Sequence, residues 1–95
     1  MKNLVWSSAF VRAFKRLVRQ NPQLRSPVEE TLQKLAEDPF SPSLHSHKLK
    51  GDLDGIWSCS IDYSNRILFQ FVNNSDSEEE EEILLLTLGS HDDVY

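Results

Sequence analysis

The stretch that decides the fold is residues 57–72, Trp57-Ser58-Cys59-Ser60-Ile61-Asp62-Tyr63-Ser64-Asn65-Arg66-Ile67-Leu68-Phe69-Gln70-Phe71-Val72. Trp57, Cys59, Ile61 and Tyr63 alternate with Ser58, Ser60 and Asp62, the period of a strand with one polar face. Tyr63-Ser64-Asn65 supplies a turn. Ile67, Phe69 and Phe71 then alternate with Leu68, Gln70 and Val72 in a return strand, which the run Asn73-Asn74-Ser75-Asp76-Ser77 breaks. The acidic residues 78–82 read as a solvated hairpin loop. Five adjacent like charges repel one another and have no metal-ligand spacing, so they carry no chemistry. Residues 83–88 are apolar almost without break, as a central strand covered on both faces requires. Three sequential strands thus form an antiparallel meander.

Upstream the period changes. Residues 3–7 read as a short strand, and Ser7 or Ser8 is placed to cap a helix running to about Gln20. In that helix Phe10, Phe14, Leu17 and Val18 form an apolar stripe, while Arg12, Lys15, Arg16 and Arg19 share the other side. The cationic side is either a solvated surface or a contact for RNA phosphates or an acidic partner. Asn21-Pro22 ends the helix. Ser26-Pro27-Val28-Glu29 has capping-box spacing with proline at the first helical position, which predicts a second helix starting there. Val28, Leu32, Leu35 and Ala36 give it one apolar face, and Asp38-Pro39 stops it before a loop over 40–46. The order is a short strand, an αα-hairpin, then a three-strand meander. This is an α+β pattern with the helices on one face of an antiparallel sheet and the other face left for a site.

The chain has 95 residues, enough for one domain spanning 1–95. Its longest apolar run, 83–86, is far short of a membrane span, and its N-terminus lacks a signal-peptide apolar segment, so a soluble cytoplasmic protein is expected. The lone Cys59 alternates with Trp57 and Ile61 and reads as core filling; it allows neither an internal disulfide nor a thiolate metal centre. The net charge of −5 hides an asymmetry: residues 1–50 carry nine Lys/Arg against four Asp/Glu, and residues 51–95 one against eleven. A local basic surface binds phosphate whatever the total, so distribution outranks the sum.

No Gly-rich phosphate loop, Walker motif, HExxH or G-x-S-x-G occurs, which leaves nucleotide hydrolysis, zinc proteolysis and serine-hydrolase chemistry without a foothold. What remains is His45, His47 and His91, with Lys48, Lys50 and Arg66 near the sheet and Tyr63 and Tyr95 as aromatics. Cleaving RNA without a metal needs a base for the 2′-hydroxyl, an acid for the leaving 5′-oxygen, cations for the phosphorane and a platform for the nucleobase. Each role has a candidate. His45 and His47 at i, i+2 could join His91 or Asp92 around a metal, but such pairs are common by chance and the sequence fixes no third ligand, so neither metal nor cofactor is expected.

Three segments carry a family resemblance over essentially the whole chain: His47-Lys48-Leu49-Lys50-Gly51, the stretch 55–69, and the ending Leu88-Gly89-Ser90-His91-Asp92-Asp93-Val94-Tyr95. They resemble the RelE/ParE superfamily of type II toxins, in particular its YafQ-like mRNA interferase branch. The resemblance implies a ribosome-dependent endoribonuclease cutting mRNA in the decoding site, neutralised by a cognate antitoxin. A small domain with one exposed sheet face is expected to be monomeric or weakly associated when isolated. It implies that His91 is the C-terminal catalytic histidine, His47 its acid/base partner and Arg66 the phosphate-neutralising arginine. Lys48 and Lys50 would be further RNA contacts and Tyr95 the stacking aromatic. The chain departs from the family at Ser58, Ser60 and Asp62, where cations commonly face the RNA, and at Thr87, where this branch can carry arginine. Two alternatives follow: a ParE-like module that inhibits DNA gyrase by contact, and a catalytically weakened homologue that only binds its antitoxin.

Overall fold

The computed structural model describes residues 2–51, 55–73 and 81–90. Strand β1 (Asn3–Trp6) leads into helix α1 (Ser8–Gln20), a 3₁₀ turn (Pro22–Leu24) and helix α2 (Arg25–Glu37). A second 3₁₀ turn (Pro42–Leu44) precedes β2 (His47–Lys48), β3 (Trp57–Ser60), β4 (Asn65–Asn73) and β5 (Glu81–Ser90). The α+β class and the αα-hairpin expected from the sequence are present. The sheet has five strands in the order β1-β5-β4-β3-β2, and it is mixed where an antiparallel sheet was expected: β1 runs parallel to β5. β5 therefore has β1 on one side and β4 on the other.

The caps explain how the helices are set. Ser7 is the N-cap of α1, its Oγ accepting from Phe10 N–H at 3.0 Å and donating to the Leu86 carbonyl at 3.2 Å. One hydroxyl thus ends the helix and ties it to β5. The expected capping box at Ser26 does not form: α2 begins at Arg25, with Leu24 as N-cap and no side-chain cap. The preceding 3₁₀ turn feeds directly into the helix, so Pro27 falls in the first turn, where its missing N–H is unpaired anyway. Glu29 pairs with Arg25 Nε at 2.9 Å instead of reaching back to a cap.

Phe10, Val28, Leu35, Leu44, Cys59, Ile67, Phe69, Ile83 and Leu85 are fully buried in one cluster between helices and sheet. Ile83, Leu85 and Leu88 all join it although their spacing is two and then three. An irregularity in the β4–β5 ladder between Leu68 and Phe69 absorbs the extra residue, opposing Leu68 to Thr87 and Phe69 to Leu85. Two sequence expectations are corrected here. Glu81 and Glu82 are not loop but the first residues of β5, opposite Asn73 and Val72, with Asn3 Nδ2 donating to Glu82 at 2.9 Å. The strand starting at Trp57 ends at Ser60, because Asp62 Oδ1 accepts from the N–H groups of Ser64 and Asn65 and bends residues 61–64 into the turn.

Candidate functional site

Alternation in β3 sends Cys59 into the core and Ser58 and Ser60 to the face away from the helices. Register fixes what shares that face: His47 is opposite Ser58, and Ser60 is opposite Arg66. His47 and Arg66 therefore share that face on either side of β3, offset by two residues, and both line a cleft of about 450 Å³ with Ser43, His45, Ser60 and Tyr63. Both are residues to which the family resemblance gives a catalytic role.

Local structure positions each group. Leu44, 1% exposed, anchors the 3₁₀ turn into the core. His45 then takes the left-handed conformation, φ 50° and ψ 41°, which turns the chain into β2. Histidine is among the residues enriched there, and a β-branched side chain would be strained. The resulting carbonyl of His45 lies 3.1 Å from His47 Nδ1. A carbonyl only accepts, so Nδ1 carries the proton, and in the neutral ring Nε2 is the basic nitrogen. The Arg66 guanidinium folds over the turn, Nη1 donating to the carbonyls of Asp62 at 2.6 Å and Asn65 at 3.1 Å. Both contacts use one terminal nitrogen and fix the plane of the fork at the cleft.

The other candidates divide. Lys48 is opposite Trp57, on the helix side of the sheet and not on the face of His47, although both are exposed at the sheet margin. Lys50 follows β2 and is exposed at the same end, just after the Leu49 N–H to Ile56 carbonyl bond that closes the strand pair. His91 and Tyr95, like Asp92, lie outside the described residues. Ser90, the residue before His91, is the partner of Asn65, and Gly89 that of Arg66.

Ser58, read as polar and outward, is fully buried and hydrogen-bonded. Cys59 is buried too, and burial pushes its thiol up to about 12, outweighing a backbone bond at Ile67 and the Arg66 charge. It is a core thiol, not a nucleophile. Among the described residues no group of three His, Cys, Asp or Glu is close enough to hold a metal ion. Sequence reasoning missed Ser43, whose place in the cleft follows only from the 3₁₀ turn. A second cleft of about 350 Å³ lies between α1 and the end of β5, lined by Arg16, Gln20, Thr87 and Gly89 among others.

A family model described as "Bacterial toxin of type II toxin-antitoxin system, YafQ" matches residues 2–95. Among solved structures, YafQ from E. coli strain BL21(DE3) is similar with a TM-score of 0.78 at 10% identity, covering 100% of this chain and 99% of that one. A metal-bound toxin from Helicobacter pylori has a TM-score of 0.76 at 25% identity over 100% of both chains. The toxin-antitoxin complex RelBE2 from Mycobacterium tuberculosis contains a chain with a TM-score of 0.71 at 16% identity, covering 95% of this chain and 98% of that one. No curated protein matches the sequence.

Proposed function

This chain belongs to the YafQ family of bacterial type II toxin-antitoxin toxins, and from that premise we propose that it is a ribosome-dependent endoribonuclease that cuts mRNA by metal-free acid/base chemistry. The observation that carries the reading is the convergence of His47 and Arg66 on one cleft. In the proposed reaction one histidine of the pair His47 and His91 takes the proton of the 2′-hydroxyl. The 2′-oxygen attacks phosphorus, the bond to the 5′-oxygen breaks, and the other histidine returns a proton to the leaving oxygen. Arg66 stabilises the charge of the phosphorane. His47 suits a proton-transfer role because its Nδ1 is held by the His45 carbonyl, which orients Nε2. Lys48 and Lys50 contact the RNA backbone at the sheet margin, and Tyr95 stacks on a base.

Residues 1–95 act as one toxin domain in the cytoplasm, without a cofactor. The partner is a cognate antitoxin, in keeping with the antitoxin seen in the RelBE2 complex, and the isolated toxin is a monomer. A second reading, a weakened homologue that only binds its antitoxin, is favoured by one observation: β3 offers the cleft Ser60, and Ser58 is buried. Losing one electrostatic stabiliser costs about 10²–10³-fold in comparable sites. Primer extension on translating ribosomes separates the readings. Codon-linked cuts support the nuclease, their absence with retained antitoxin binding supports the weakened homologue, and a supercoiling defect without cuts would indicate a gyrase inhibitor.

A further inference from the structure

Helix α1 carries Arg12, Lys15, Arg16 and Arg19 and no acidic residue. All four are exposed, they line one concavity of about 400 Å³, and among the described residues none has an ion-pair or hydrogen-bond partner. Four uncompensated cations on one helix repel one another, so the arrangement is costly without an anion. The patch does not stop at the helix. Arg16 also lines the cleft with Thr87 and Gly89 at the end of β5, and Gly89 is the register partner of Arg66. β1 ends at Trp6, opposite Leu85, so among the described residues no strand pairs with β5 on that side beyond Leu85, where α1 lies alongside it.

Resting on the reading of this chain as an RNA-cutting toxin, we infer that the α1 row, with Arg16 beside Thr87 and Gly89 at the end of β5, binds backbone phosphates of the same RNA strand, away from the scissile one. Arg16 is a positioning residue in this scheme: it holds the strand, and Arg66 touches the reacting phosphate. A flexible guanidinium at the strand margin suits this role because phosphate contacts fix register without reading sequence.

The test uses the full chain and 2′-O-methyl RNA oligonucleotides, which cannot be cut, of about four and about twelve nucleotides, lengths within the site sizes of single-strand binders. Arg16→Ala should weaken the longer oligonucleotide about fivefold, lower the slope of log K against log salt by about 0.7, and leave the shorter one unchanged. Thr87→Arg in the Arg16→Ala background should restore the slope. Lys34→Ala, on exposed α2, should alter neither. An unchanged slope in Arg16→Ala, or an equal loss in Lys34→Ala, overturns the inference. So does an equal loss of affinity for a polyglutamate peptide, which would make the surface a site for an acidic protein. Arg66→Ala should weaken both oligonucleotides. If it does and Arg16→Ala does not, the subsite alone fails; if Arg66→Ala weakens neither, the RNA-cutting reading fails first.

Discussion

The ring of His47 is tied to the backbone of His45, with Nδ1 3.1 Å from the carbonyl oxygen two residues earlier. The bond depends on the left-handed turn at His45, φ 50°, so a strained backbone position and a candidate acid/base are one device. The carbonyl, not the imidazole of residue 45, does the holding. His45→Gly should therefore keep cleavage close to wild type, since glycine accepts this conformation at no steric cost. His45→Val should lower cleavage and stability together, by about 1–3 kcal/mol for the latter. Matched cleavage assays and thermal melts check this, and a His45→Gly protein that melts normally but does not cut would transfer the role to the imidazole.

Arg66 holds two carbonyls with Nη1. Arg66→Lys keeps the charge but loses the planar fork, so ribosome-dependent cleavage should fall by about tenfold or more with little change in melting temperature. Wild-type rates in the lysine variant would show that a point charge is enough.

Position in the core predicts the opposite failure. Leu85 is fully buried at the heart of the cluster, and Leu85→Ala should cost about 2–5 kcal/mol, read by urea unfolding. Leu44→Ala should cost a similar amount and also loosen the turn that delivers His45 and His47. At temperatures where each remains folded, the first variant should cut normally and the second poorly.

Much of this was legible in the sequence. A serine cap at Ser7 or Ser8, the stripe of α1, and a strand pair joined by a turn near residues 63–65 are local, and local chemistry specifies them. The parallel pairing of β1 with β5 was not, because Asn3 and Glu82 are brought together only by the whole chain. Ser26-Pro27-Val28-Glu29 had the letters of a capping box, yet the 3₁₀ turn at Pro22–Leu24 started the helix sooner. Alternation marked Ser58 as polar and outward, and it is buried beside Leu68, which is also buried. At the site, the resemblance singled out His47 and Arg66, but a two-residue strand has no period to read. Only the register opposite Ser58 and Ser60 puts them on one face and sends Lys48 to the other.

The buried thiol gives a pH signature. Cys59 is raised from 9.0 to about 12 in the folded chain. The protonated form is favoured by folding, so its contribution is intact below pH 9. As pH rises from 9 towards 12 the unfolded state loses its proton first, and stability falls by up to about 1.4 kcal/mol per pH unit. Cys59→Ala should be less stable at neutral pH through the lost contact, yet its stability should decline less steeply above pH 9. Parallel slopes for the two proteins in alkaline urea titrations would refute the assignment.

The most direct measurement of the central claim is primer extension on mRNA in translating ribosomes with the wild-type chain, His47→Ala and His91→Ala, each verified by its thermal melt. The account predicts codon-linked cuts by the wild type and a loss of about 10²-fold or more in both variants with unchanged melting. Folded variants that cut at the wild-type rate would contradict it.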